Sequence, residues 1–161
     1  MNLARRTRTG IQAGLLGGGA VAVVFFLFDL LRLQPMSTPL ALSSRFLGPG
    51  GILIETPVIG QLVSIVMCAG NLLTLSLLHL LAFSVLGLGA VWGCEECGVR
   101  LNVYSGAIFG VTAGSVVFYG CLALVGEQVL AGLPGPVSVL LANLLAGAIM
   151  GGFVQMQRRR N

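Results

Sequence analysis

The sequence predicts an all-α, polytopic membrane protein: a bundle of four transmembrane helices with a short interfacial helix in its first outer loop. Three observations predict it. Of the 161 residues, 56% are hydrophobic and 9% are charged, far from soluble usage, in which about a quarter of residues carry charge. The apolar residues gather into four stretches, each long enough to cross the roughly 30 Å hydrocarbon core of a bilayer. All nine basic residues are arginines, and six of them form two terminal clusters, Arg5, Arg6 and Arg8 at one end and Arg158, Arg159 and Arg160 at the other.

The charge pattern decides between partners. A net charge of +4 placed at the ends of apolar spans holds loops on the cytoplasmic side during insertion and meets anionic headgroups. No soluble segment is long enough to fold a basic face, so lipid is the expected partner and nucleic acid is not. The chain is read as one transmembrane domain, residues 1–161, with spans at about 11–33, 61–93, 103–125 and 136–156.

The first span runs from about Ile11 to Leu33, about 34 Å of helix. Its charged start resembles a signal peptide, but the apolar run is too long and no small-residue cleavage pattern follows, so it is expected to stay as a span. Pro35 and Pro39 end the helix. Thr38 followed by Pro39 reads as a new start, with threonine as the cap and proline at the first position. The stretch Pro39 to Leu47 is then the interfacial helix, stopped by Gly48, Pro49, Gly50 and Gly51.

The second apolar stretch starts after Thr56 and Pro57 and lasts until Gly93, about 55 Å as a single helix. One long, tilted helix with a protruding outer end is expected, over the alternative in which the part before about Met67 lies along the surface and a shorter span follows. The polar loop Cys94 to Asn102 leads to the third span, about Val103 to Val125. The glycine- and proline-rich segment Gly126 to Gly135 leads to the fourth, about Pro136 to Met156. Seven arginines fall on the side of the termini and two, Arg32 and Arg45, on the other. A multi-pass protein of a cell inner membrane with both termini cytoplasmic is expected.

Lipid gives no hydrophobic drive between helices, so small residues that let backbones approach indicate how helices pack. Glycines repeat at intervals of four in every span: Gly10, Gly14 and Gly18, then Gly89 and Gly93, then Gly106, Gly110 and Gly114, and lastly Gly147 and Gly151. These ridges are expected to join the four helices to each other; the alternative is that one of them faces a membrane-protein partner or a second copy.

Polar residues inside the spans are the candidates for chemistry, because an ionisable group in lipid is costly unless paired or useful. On the second span, Gln61, Ser64, Cys68, Asn71, Ser76 and His79 fall within an arc of about 140°, and that face is expected to turn inward. Asp29, Asn71, Tyr119 and Asn143 fall at outer-half depth with His79 near the middle, which makes them one candidate buried polar cluster. Its role is either interhelical hydrogen bonding or, for Asp29 and His79, a proton or cation relay. Arg32, three residues beyond Asp29, offers the carboxylate a surface ion pair.

Cofactor chemistry finds little footing. A single histidine supplies one axial haem ligand, and no c-type attachment motif accompanies it. Cys94 and Cys97 make a Cys-x-x-Cys, but a structural zinc needs four ligands, and Glu95 and Glu96 between the cysteines disfavour a thiolate. No phosphate loop, nucleophile elbow or metalloprotease pair appears, so no catalytic, cofactor or metal residue is assigned.

Three stretches carry a resemblance: Phe28 to Leu31 leading to Pro35 and Thr38, Pro39 and Leu40; Leu78 to Phe83; and Leu141 to Ala148. In order and content they resemble a group of small four-helix integral membrane proteins of bacteria with no assigned activity. The resemblance implies the four-helix topology and places Asp29, His79 and Asn143 at recurring positions. The expected role is that of a non-catalytic accessory or assembly subunit of a larger membrane complex. The competing expectation is a small channel or transporter for protons or a small solute, alone or as an oligomer.

Overall fold

The computed structural model describes residues 3–47, 58–125 and 135–160. The regular structure there is helical: α1 (Leu3–Leu31), α2 (Ser37–Leu47), α3 (Val58–Glu96), α4 (Val103–Phe109), a π-helical turn (Gly110–Gly114), α5 (Ser115–Val125) and α6 (Pro136–Arg159). Four runs are long and apolar enough to cross a membrane: α1, most of α3, the run of α4 through α5, and α6. The expected stops Gly48 to Gly51, the start at Thr56 and Pro57, and nearly all of the segment from Gly126 lie outside the described residues.

Several boundaries differ from expectation. Helix α1 begins at Leu3, because nothing between there and Ile11 breaks a helix, and its arginines tolerate one. Helix α2 begins at Ser37, and the Leu40 amide already bonds the Met36 carbonyl, so Thr38 lies in the first turn and is not the cap. Helix α3 is continuous over 39 residues, and it carries Cys94, Glu95 and Glu96 as its last turn. The Cys-x-x-Cys therefore lies at a helix end. Val99 N–H bonds the Cys94 carbonyl at 2.7 Å and Gly98 N–H the Glu95 carbonyl at 3.1 Å, with Gly98 at φ 67°. That pair of bonds closes a helix through a left-handed residue, a conformation that only glycine takes at no steric cost.

The third apolar run opens on a firm cap and breaks in its middle. Asn102 Oδ1 accepts from the amides of Tyr104 and Ser105, and the Ser105 hydroxyl accepts from the Asn102 amide, a reciprocal capping box. Seven residues on, the helix widens into the π turn. There the Thr112 hydroxyl donates to the carbonyls of Ile108 and Phe109, competing with backbone donors for them, and Gly110 and Gly114 offer no side chain to resist the change.

The helices lie in the order α3, α1, α6, then α4 with α5, while α2 packs on α3 and, less extensively, on α1. Close approach sets this order. A Cβ on Gly14 would stand 2.7 Å from Ser84 Cα, and one on Gly87 would stand 2.7 Å from Gly14 Cα, so α1 and α3 cross backbone to backbone. On α1, Gly18 faces the Phe83 side chain and Gly17 the Met150 side chain of α6. Helices α4 and α6 meet the same way: a Cβ on Gly110 would stand 2.8 Å from Gly147 Cα, and one on Gly106 would stand 2.9 Å from Gly151 Cα. Gly114 abuts the Asn143 side chain. Gly89 and Gly93 have open space instead, so their expected ridge joins no other described helix, and Gly87 takes that place.

Two apolar layers follow from these crossings. One, near the chain ends, holds Ala13, Ala90, Val91, Leu101, Met150 and Val154; the other holds Val21, Phe25, Phe83, Val139, Ala142 and Ala146. Leu101, in the connection before α4, is 1% exposed and plugs the end of the first layer. Outside it, Glu95 forms an ion pair with Arg6 (2.6 Å) and accepts a hydrogen bond from Arg158 (3.0 Å). One carboxylate thus ties the start of α1 to the ends of α3 and α6.

Candidate functional site

The polar residues of the apolar helices separate into distinct stations. Asp29, 1% exposed near the end of α1, takes two bonds from Thr38: the amide donates to Oδ2 at 2.8 Å and the hydroxyl to Oδ1 at 2.6 Å. The carboxylate thereby satisfies one of the orphan amides at the start of α2, where the helix dipole favours an anion. Leu33 and Met36 adopt positive φ in the turn between these helices, which folds α2 back over its cap. Arg32 is exposed and makes no ion pair with Asp29. The i, i+3 pair expected from spacing gives way to a partner nine residues away.

His79 stands in the middle of α3 against α1. Its Nε2 lies 3.1 Å from the Gly18 carbonyl oxygen, which is reachable because Gly18 has no side chain, and its ring tilts over Phe83 with centroids 4.8 Å apart. Asn143 on α6 faces the π turn: Nδ2 points to Ser115 Oγ at 3.4 Å, and Gly114 leaves room for the amide. Tyr119 packs edge-on to Phe118, with its hydroxyl buried and unbonded. Asn71 is half-buried and makes no side-chain hydrogen bond among the described residues.

No hydrogen bond joins any two of Asp29, Asn71, His79, Tyr119 and Asn143, so the expected single cluster is three separate helix–helix fastenings plus two residues without one. The inward polar face of α3 is also partial. Ser64 is buried, but Ser76 is exposed and returns its hydroxyl to the Leu72 carbonyl. What does converge is space. His79 borders two adjoining apolar cavities of about 270 and 330 Å³, which share Phe25, Leu42 and Leu75 in their walls. Asn143 and Gly114 line the far side of the first, and Thr38 and Met36 line the second.

Residues that spacing overlooks do much of the fastening. In the sequence Thr38 reads as a cap and not as the partner of Asp29, Glu95 reads as part of a cysteine motif, and no spacing marks Ser115 or Gly87. The signal for Glu95 was available in its charge, since an acidic group between arginine-rich ends has few other ways to be neutralised. Among the described residues, no group of three or more metal-ligating side chains converges.

No family model matches the chain, and no curated protein or solved structure matches it either.

Proposed function

We propose that the chain is an integral protein of a bacterial inner membrane, crossing it four times with both ends in the cytoplasm. In this reading it serves as a non-catalytic accessory or assembly subunit of a larger membrane complex. The observation that carries the reading is the burial of α3. Only 11% of its most apolar window is buried within the chain, against 44% for α6, although α3 is the longest helix. Its outer flank presents Leu62, Val66, Leu73, Leu77 and Leu81, all more than half exposed, around Gly70, which has open space before it. Small residues beside large apolar ones let another helix approach closely in lipid.

Two further observations support it. Asp29, His79, Asn143 and Glu95 all bond groups within the chain, which suits fastening better than turnover. The arginine asymmetry, with the termini and Arg100 on one side, supports the orientation. The second reading, a small proton or solute channel or transporter, draws on His79 beside its two cavities. Against it stand the backbone contacts of Gly14 with Phe83 and Ser84 and the apolar layer around Met150 and Val91, which close the inner half.

Mild-detergent purification of the tagged chain from its own membranes, with mass spectrometry on the peak, tests the reading. The expected particle is larger than 16.7 kDa plus detergent and contains other membrane proteins at fixed ratio. A lone monomer contradicts it, and a homo-oligomer shifts the weight to the channel.

A further inference from the structure

His79 is incompletely used by its surroundings. The Gly18 carbonyl can only accept, so the hydrogen in their 3.1 Å contact belongs to Nε2. In the neutral ring that fixes the tautomer and leaves Nδ1 as an acceptor with its lone pair free. No described residue bonds it. The ring lines both adjoining cavities. Phe25, Phe83 and Leu122 form buried walls of the first, while Leu78, Val117 and Cys121 are exposed at its rim. The rim faces outward between α3 and α5, two helices that do not pack extensively on each other, so the opening is lateral, towards lipid in a four-span reading.

We propose that these adjoining cavities bind a membrane-soluble alcohol, an apolar chain or ring system with one hydroxyl that donates to His79 Nδ1. An apolar space that offers His79 Nδ1 as an unbonded acceptor beside a few polar groups already engaged within the chain, Thr38, Ser76 and the Asn143 amide N–H, selects that chemistry. Hydrocarbon alone leaves the acceptor unsatisfied, which costs free energy in a dry site; an ether or ester offers no donor; an ion finds no counter-charge among the lining residues. The combined space falls within the roughly 300–1,000 Å³ of small-molecule sites, enough for a single chain but not for a two-tailed lipid. The π turn contributes directly, because it brings Gly114 and Val117 to the wall opposite His79. The site rests on the chain lying in a bilayer, and it does not rest on the chain having a protein partner.

The test uses the full-length protein in nanodiscs and two photoreactive probes, a diazirine-bearing hexadecanol and its methyl ether. The alcohol is expected to label the walls around Leu78, Val117 and Phe118 about five-fold more strongly than the ether, the worth of about 1 kcal/mol of hydrogen bond. Unlabelled hexadecanol or farnesol is expected to compete, and whichever does so better tells a straight chain from a prenyl chain. Val117→Trp places an indole at the exposed rim of the first cavity and is expected to abolish the labelling. Equal labelling by alcohol and ether, labelling spread along the outer face of α3, or failure of both competitors overturns the proposal. None of these results depends on whether other subunits co-purify.

Discussion

Asp29 shows how much a single buried group can decide in this chain. Its carboxylate closes the first turn of α2 by accepting both the amide and the hydroxyl of Thr38, and in doing so it holds α2 against α3 and the cavities. Asp29→Asn keeps the size but loses the charge and one of the two acceptor oxygens that Thr38 uses. It is expected to lower stability in detergent by about 1–2 kcal/mol, the usual worth of a cap, read as a drop in thermal midpoint. Arg32→Ala is expected to leave the midpoint unchanged, since Arg32 is exposed and holds no ion pair with Asp29; equal losses for the two variants would restore the surface pair. That Asp29 mattered was legible in the sequence, because an acid in an apolar run must find a partner. Its partner was not legible, since helical spacing sees only neighbours on the same helix, and Thr38 is reached through a turn with two positive φ values. His79 and Asn143 read the same way: their burial was inferable, whereas Gly18 and Ser115 as their partners depend on which helices cross and where.

At the scale of the helices, the glycines divide into those against which a neighbouring helix packs, by backbone or by side chain, and those with open space before them. Gly147 on α6 lies against Gly106 and Gly110, so Gly147→Ala forces two backbones apart and is expected to cost about 1–3 kcal/mol, as overpacking does. Gly89→Ala meets open space within the chain. It is expected to be neutral or to raise the midpoint slightly, in line with the helix propensity of alanine. Thermal unfolding of both variants in detergent checks this, and a destabilising Gly89→Ala together with a silent Gly147→Ala would reverse the assignment of faces. Spacing by four found the ridges on α1, α4 and α6, because a helix crossing repeats on that period. It chose Gly89 and Gly93 over Gly87 on α3, because a single glycine at a crossing point leaves no period to read. The π turn was equally hidden, since it arises from Thr112 competing for carbonyls between two glycines that otherwise read as packing residues.

At the scale of the whole chain, the number of apolar spans was legible from composition and run length alone, as hydrocarbon thickness leaves little choice. The order of the helices was not. That α1 sits between α3 and α6, and that α3 is held through α1 and α2, follows from complementary close approaches no single segment encodes. This order leaves α3 with a long apolar flank and the cavities with a lateral mouth, and it turns Glu95 towards both Arg6 and Arg158. The proposed role as a subunit rests on that flank. The most direct measurement places a photocrosslinking residue at Val66 and at Leu77 on the exposed face of α3, with buried Val91 as control, and irradiates cells before any detergent is added. One defined protein adduct is expected, the same at both exposed positions, absent at Val91 and matching a co-purifying subunit. Adducts to lipid alone at Val66 and Leu77 would contradict it.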